Sequence, residues 1–234
     1  MDSVTQFALG AAIGEACLGR KHGAKAALWG GLVATLPDLD SLIPFEDLVA
    51  SVTYHRSWSH SLLVLSIAAP VFAWLLLKLK PAYQEDSKRW YWFFALALMT
   101  HPLLDAFTVY GTQLFWPVWD YPVSGSAVFI IDPAYTVPLI IGTLAAFRFP
   151  RGSIQRSHIN SFGLIVSSLY LVWALAAKTA VELAVRSDLE QRGRDVTQLL
   201  TTPTPINTFS WRLVAMTEGG YYEGYTTIFS AGDA

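Results

Sequence analysis

The sequence predicts an all-α membrane protein: a bundle of about five to six transmembrane or partly re-entrant helices, followed by a small extramembrane appendage. Of its 234 residues, 53% are hydrophobic and 15% are charged, whereas about 25% of the residues in a typical soluble domain are charged. The apolar residues form runs separated by short polar linkers, as in a helical membrane bundle. The net charge of −2 gives no reason to expect a nucleic acid as a partner.

Six apolar runs define the expected helices. The third run, residues 61–79, is the clearest span, because it approaches the roughly 20 residues that cross a bilayer and carries no charge before Lys78. The first run places Gly10 and Gly14 four residues apart, a spacing by which membrane helices pack closely. The first two runs are short for a full span, which is compatible with tilted helices, partly re-entrant helices or helices buried inside the bundle. The runs cover residues 4–19, 26–36, 61–79, 90–104, 127–147 and 162–183.

Basic and acidic linkers alternate along the chain. Three basic linkers hold ten Lys and Arg residues, whereas the two acidic linkers hold only Arg56. Cytoplasmic loops of membrane proteins are enriched in Lys and Arg, so the basic linkers are expected inside a bacterial-type inner membrane. Both termini and the acidic linkers are then expected at the periplasmic face. The basic linkers are 20–25, 78–89 and 148–156, and the acidic linkers are 38–60 and 105–126.

The composition changes from apolar to mixed after the sixth run. This change divides the chain into a transmembrane domain, residues 1–185, and an extramembrane C-terminal segment, residues 186–234. Within the second part, residues 209–216 and 221–229 are rich in aromatic and β-branched residues and flank a Gly-containing turn. This pattern predicts a β-hairpin.

Histidine and aspartate residues gather at the run ends that are expected to face the periplasm. His55 and His60 precede the third run. His101 and Asp105 end the fourth run at a spacing that places both on one helix face. Imidazole and carboxylate suit Zn, Mn or Fe, and a single Cys17 excludes a multi-thiolate site. The expected metal ligands are Asp38, Asp40, His55, His60, His101 and Asp105, with Asp132 and Glu15 as second-line candidates.

Some of these residues have more than one interpretation. Glu15 lies inside an apolar run, where a charge is costly unless it is paired. It is therefore either a functional residue or the partner of Arg20 or Lys21. Arg56 pairs with an acidic neighbour or with a substrate phosphate, and Thr108 orients the substrate or a ligand.

The number of donors favours a multinuclear centre. Six or seven donors exceed the three protein ligands of a typical catalytic zinc site, so two or more divalent ions are expected, with zinc preferred. Such a centre activates water for displacement at an ester. We therefore expect a hydrolase that acts on a phosphate or other ester of a lipid or membrane-associated substrate. The residues expected to take part in the reaction are Asp38, His60, Arg56 and Thr108.

Two other functions are compatible with the pattern. One is a transporter or ion-conducting protein whose His, Asp and Glu residues line an ion path. The other is a non-catalytic, metal-stabilised membrane scaffold. The sequence leaves the oligomeric state open.

Three motifs also carry a family resemblance: LPDLD at 36–40, HRSWSHS at 55–61 and HPLLDAFTVYG at 101–111. Together they resemble the YdjM-like family of predicted membrane-bound, metal-dependent hydrolases, and the resemblance extends over nearly the whole chain. It implies an inner-membrane protein whose metal ligands lie in these motifs. Relatives often have a Thr-His pair where this chain has Thr5-Gln6, so Gln6 is expected to be a weaker ligand or none.

Overall fold

The computed structural model describes residues 1–44 and 55–230. Within these residues the chain is mostly helical, with a small antiparallel sheet near its C-terminal end. The centre of the acidic linker at 38–60 lies outside the described residues. The helices are α1 (Ser3–His22), α2 (Ala24–Ala34), α3 (Leu62–Leu79), α4 (Ser87–Asp105), α5 (Pro133–Ala146) and α6 (Ile154–Gln191).

Two of these helices, α3 and α6, are long and apolar enough to cross a membrane. Helices α2 and α5 are apolar but shorter. Helices α1 and α4 have 20 and 19 residues and are long enough to cross a membrane. They are not among the clear candidates, and they contain buried polar residues, Glu15 in α1 and His101 and Asp105 in α4. The residues that the structure describes thus form six α-helices, of which two are clear membrane-spanning candidates. The expectation was about five to six transmembrane or partly re-entrant helices, and the other four are short or bury polar residues.

Small residues bring α1 and α2 into backbone contact. A Cβ atom added at Gly14 would lie 2.1 Å from the carbonyl oxygen of Ala26, and one added at Gly30 would lie 2.0 Å from that of Gly10. The prediction of close helix packing from the spacing of Gly10 and Gly14 is therefore confirmed. The α1–α2 pair forms a tight hairpin, which turns at Gly23 with a φ of 62°.

Helix α1 is central to the bundle and packs against α2, α4, α5 and α6. It begins at Asp2, whose side chain accepts hydrogen bonds from the backbone N–H groups of Val4 and Thr5. The start of α1 lies beside the end of α4, since Gln6 reaches His101 and Asp105. Two short 3₁₀ turns, Pro37–Leu42 and Trp58–His60, complete this end of the bundle.

The C-terminal sheet contains strands β1 (Gln198–Pro203), β2 (Ser210–Thr217) and β3 (Gly220–Thr227), in that order. The predicted β-hairpin corresponds to β2 and β3, and β1 adds a third strand that the sequence analysis did not foresee. Trp211 of β2 is fully buried and clusters with Val181 and Val185 of α6. The sheet is therefore packed against the last turns of α6, a continuous helix that contains the expected domain boundary at residue 185.

Candidate metal centre

Two histidines and two aspartates from separate segments meet at one end of the bundle. Asp38 lies on the turn after α2, His60 lies on the turn before α3, and His101 and Asp105 lie in the last turns of α4. One ligand atom from each of the four residues lies within 4.8 Å of the others. Three of these residues are fully buried, whereas the side chain of Asp38 is 20% exposed. We call these four residues the His/Asp group.

The distances within the His/Asp group suit a metal ion. The Nε2 atoms of His60 and His101 lie 3.0 Å apart. Asp38 Oδ1 lies 3.3 Å from His101 Nε2 and 3.6 Å from His60 Nε2, and Asp105 Oδ2 lies 3.4 Å from His60 Nε2. Ligand atoms about 2.0–2.1 Å from a tetrahedral zinc ion stand about 3.3 Å apart. The group therefore has the dimensions of a single coordination sphere.

Hydrogen bonds leave the two facing imidazole nitrogens free to act as ligands. His101 Nδ1 donates to the carbonyl oxygen of Ala34 at 2.6 Å. Ser59 Oγ donates its proton to Asp40 Oδ2 at 2.6 Å. Ser59 Oγ therefore accepts the hydrogen bond from His60 Nδ1 at 2.9 Å. Each neutral ring then carries its lone pair on Nε2, as metal-binding histidines do when their other nitrogen is anchored.

The electrostatics of the group favour a bound cation. Asp105 Oδ2 is buried and has no hydrogen-bond partner, and it converges with the two imidazole lone pairs and with Asp38. Burial lowers the pKa of His60, but the carboxylates of Asp105 and Asp38 raise it more, so that the pKa lies above its usual value. Burial raises the pKa of Asp38, but when His101 and His60 carry protons on the nitrogens that face Asp38, their hydrogen bonds and charge outweigh this and hold that pKa well below its usual range. The residues present therefore fit a divalent metal ion.

Asp40 and His55, both expected as ligands, lie beside the His/Asp group and are not part of it. Asp40 accepts hydrogen bonds from Ser59 Oγ, from His55 Nδ1 at 3.0 Å and from the backbone N–H of Arg56 at 3.2 Å. Its carboxylate is thus occupied by protein donors, and through Ser59 it orients His60. The side chain of His55 is 24% exposed and forms the rim of the site.

Several donors fix the orientation of Asp105. Gln6 Nε2 donates to Asp105 Oδ1 at 2.9 Å and to the carbonyl oxygen of His101 at 3.1 Å. The amino group of Met1 also donates to Asp105 Oδ1. With Oδ1 held by these donors, Oδ2 points toward the two histidines. Gln6 thus contacts a member of the group through its amide nitrogen. The resemblance pointed to this position, where relatives often have a histidine.

Among the described residues, Arg56 contributes a basic side chain that lies against the group. It is buried, its backbone has a φ of 62°, and its Nε lies 3.4 Å from Asp105 Oδ2. Its Nη1 donates to Thr108 Oγ1 at 3.3 Å, and its guanidinium lies 4.8 Å from the ring centre of Tyr110. Arg56 and His55 line a cavity of about 590 Å³ with a partly polar wall, which also includes Asp120 and Tyr121. An anionic group in this cavity would meet Arg56.

The two second-line candidates lie elsewhere. Asp132 caps α5 by accepting from the backbone N–H of Ala134 at 3.0 Å, and it accepts from the hydroxyl of Tyr170 at 2.7 Å. Glu15 accepts from Arg156 at 2.5 and 2.8 Å. Of the two interpretations of Glu15, pairing with a basic residue is the one that the structure shows, but the partner is Arg156 rather than Arg20 or Lys21, because α6 passes alongside α1.

Comparison with known proteins identifies the family. Residues 1–181 match the profile of the YdjM inner membrane protein family. The chain belongs to this family. The uncharacterized protein YfhP of Bacillus subtilis (strain 168) is 25% identical over 237 residues, which cover 96% of this chain and 68% of YfhP. No solved structure matches the chain. The resemblance drawn from the three motifs is thus confirmed, and the match together with α3 and α6 indicates a membrane protein.

Proposed function

We propose that the His/Asp group binds a divalent metal ion and that the protein uses this ion to hydrolyse an ester at the membrane surface. The observation that supports this most directly is the pair of Nε2 atoms of His60 and His101, which face each other at 3.0 Å. Their neighbours include Asp105 Oδ2, a buried oxygen without a hydrogen bond. Buried acceptors that converge in this way are costly unless positive charge compensates them, and a metal ion between the four ligand atoms would compensate all of them at once.

The donor set favours zinc, with manganese or iron as alternatives, because imidazole and carboxylate bind all three. The four residues of the group supply the ligands of one ion. A second ion, expected from the number of donors in the sequence, would have to use residues such as His55 at the rim. We therefore propose one ion in the His/Asp group and keep the second as a prediction.

The surrounding residues suit an anionic ester. A divalent ion in this position would lower the pKa of a water molecule and polarise the ester bond. Asp38, the one partly exposed member of the group, lies where a substrate would enter. Arg56 would bind the oxygens of a phosphate through charge-assisted hydrogen bonds, and Thr108 holds its guanidinium in place. A phosphate ester of a lipid or of another membrane-associated molecule fits this arrangement.

We also propose that the group faces the periplasm and that α1, α2, α4 and α5 lie in the bilayer as tilted or partly re-entrant helices beside α3 and α6. The contacts at the other end of the bundle support this orientation. There Lys21 pairs with Asp86, and the ring of His22 packs on Tyr83 at 5.2 Å. Two of the basic linkers therefore meet at the end of the bundle away from the His/Asp group, as the positive-inside rule requires for a cytoplasmic face.

The contacts of the acidic residues weigh against the transporter alternative. Glu15 and Asp132 would line an ion path in a transporter. Instead, Glu15 forms an ion pair with Arg156, and Asp132 accepts a hydrogen bond from the backbone at the start of α5. The burial of three members of the His/Asp group is compatible with a non-catalytic scaffold. Measurement of turnover separates that function from the hydrolase.

The test is metal analysis of the detergent-purified protein, followed by assays of phosphodiester and lipid hydrolysis with and without chelator. We expect bound divalent metal and chelator-sensitive hydrolysis. His60→Ala is expected to lose both, whereas His158→Ala, which alters an exposed histidine on α6, keeps both. Unchanged metal content in His60→Ala would exclude the site, and metal without turnover on any ester would leave the scaffold as the function.

A further inference from the structure

An apolar groove of about 340 Å³ lies next to the candidate metal centre. It is bounded by the Pro37–Leu42 turn, by α3 and by α4. Val64, Ala68 and Phe72 line one wall, and their four-residue spacing places them on a single face of α3. Leu39 lies on the opposite wall and Leu98 of α4 also contributes. None of the described residues that line the groove is basic.

One end of the groove reaches the metal centre through two polar residues. Asp40 and Ser59 are the polar side chains in the lining. Ser59 Oγ lies 2.9 Å from His60 Nδ1, so this end is one hydrogen bond away from a residue of the His/Asp group. A molecule in the groove therefore has its polar end close to the site of the proposed chemistry.

The groove also borders the surface that α3 presents to the bilayer. Helix α3 is one of the two membrane-spanning candidates, and Ile67 and Val71, next to the groove-lining residues, are exposed. From Val64 to Phe72 the groove follows α3 for about 12 Å, at a rise of about 1.5 Å per residue. Since α3 begins at the metal-centre end of the bundle, the groove descends from that end into the hydrocarbon layer.

The polar cavity lies on the other side of the same site. His55 and Arg56 line this cavity, whereas Asp40, which accepts from His55, lines the groove. The His55–Asp40 pair thus separates an apolar compartment from a polar one. A molecule that occupies the groove and extends past this pair toward the cavity must be amphiphilic, with its polar part on the side of His55 and Arg56.

We infer that the groove binds an acyl chain of a bilayer lipid, which places the polar part of that lipid at the His/Asp group with its anionic oxygens toward Arg56. This inference rests on the proposed hydrolase function and narrows its substrate from any membrane-associated ester to an acylated lipid. An acyl chain is the occupant that the groove favours, because the walls are apolar except for Asp40 and Ser59 at one end and are continuous with the lipid-facing surface of α3.

The test uses the full chain in nanodiscs of phosphatidylcholine and phosphatidylglycerol that contain a trace of lipid with a photoactivatable diazirine on its acyl chain. Irradiation followed by mass spectrometry is expected to place cross-links on Leu39, Ala68 or Phe72, with or without chelator.

Ala68→Phe fills the groove and is expected to reduce these cross-links about fivefold or more, because an overfilled apolar site is unfavourable. Val64→Phe alters the same wall and serves as a second variant if the first does not fold. The matched control is Ala176→Phe, the same substitution on an exposed face of α6.

The outcomes distinguish failure of the proposed acyl-chain site from failure of the proposed hydrolase function. Cross-links in the groove that Ala68→Phe removes and Ala176→Phe keeps would support the acyl site even if no ester is hydrolysed, in which case the proposed hydrolase function fails alone. Conversely, chelator-sensitive hydrolysis of a long-chain lipid that Ala68→Phe leaves unchanged would overturn the acyl site and leave the hydrolase function intact. Cross-links distributed equally around α3 and α6 would also overturn the acyl site.

Discussion

The Nε2 atoms of His60 and His101 lie 3.0 Å apart although the residues are separated by 41 positions in the chain. Each ring is anchored through its other nitrogen, His101 to the carbonyl oxygen of Ala34 and His60 to Ser59. The protein scaffold therefore sets the distance between the two rings. A ligand set that is positioned in this way loses little conformational freedom when an ion binds.

Metal is expected to stabilise the folded protein. A ligand that binds only the native state adds about 2.7 kcal/mol of stability at a hundred times its dissociation constant. Titration of zinc into the chelator-treated protein is thus expected to raise the midpoint of thermal unfolding in detergent. His101→Ala is expected to abolish this rise, and His158→Ala to leave it intact. An equal rise in wild type and His101→Ala would contradict the assignment.

Asp40 is expected to act on the metal through His60. In Asp40→Asn the carboxylate that accepts from Ser59, His55 and the Arg56 backbone is lost. Loss of such an orienting group lowers metal affinity about 10- to 100-fold, while saturating metal still fills the site. Isothermal titration measures the affinity, and Asp120→Asn, which alters an exposed acidic residue of the polar cavity, is the control. Complete loss of binding in Asp40→Asn would instead make Asp40 a direct ligand.

The buried ion pair between Glu15 and Arg156 is expected to stabilise the bundle without affecting the metal. Removing one partner of a buried pair costs about 3–5 kcal/mol, because the other charge is left unpaired. Glu15→Gln is thus expected to lower the unfolding free energy in detergent with unchanged metal content. The double variant Glu15→Gln/Arg156→Gln is expected to recover part of the loss, since no buried charge remains. Loss of metal in Glu15→Gln would assign Glu15 to the site.

The contact between α1 and α2 leaves no room for a side chain at Gly30. A Cβ there would lie 2.0 Å from the carbonyl oxygen of Gly10, and the rigid backbone of a helix cannot move aside cheaply. Gly30→Ala is expected to destabilise the protein by about 1–3 kcal/mol, measured as a fall in the unfolding midpoint. Gly219→Ala, where an added Cβ meets nothing within 4 Å, is the matched control. Equal midpoints for the two variants would show that α1 and α2 do not pack in this way.

The positive-inside pattern predicts the orientation of the bundle. Reporters fused at residue 85 and at the C-terminus are expected to lie on opposite sides of the membrane. A phosphatase that is active only in the periplasm is expected to be active at the C-terminus and inactive at residue 85. The reverse result would invert the orientation and move the His/Asp group to the cytoplasmic face.

Sequence patterns among neighbouring residues predicted much of the fold. The helices, the glycine contact between α1 and α2 and the β2–β3 hairpin follow from periodicity, small-residue spacing and turn composition, which depend on neighbouring residues. The strand β1 was missed because its pairing with β2 joins residues such as Pro203 and Trp211, and this pairing is driven by burial of Trp211 on α6. The apolar runs also did not separate the two clear membrane-spanning candidates, α3 and α6, from the other helices, since an apolar run does not reveal how much of it packs inside the bundle.

The sequence alone determined which segments are apolar enough for a membrane. It also determined that histidine and aspartate residues lie at the ends of the apolar runs that are expected to face the periplasm. The tertiary structure decided which of them face one another. It brought Asp38, His60, His101 and Asp105 together, engaged Asp40 with Ser59, and turned Glu15 toward Arg156 on α6. The physical reason is that convergence of side chains depends on how helices pack, and contacts between residues far apart in the chain leave no local signature in it.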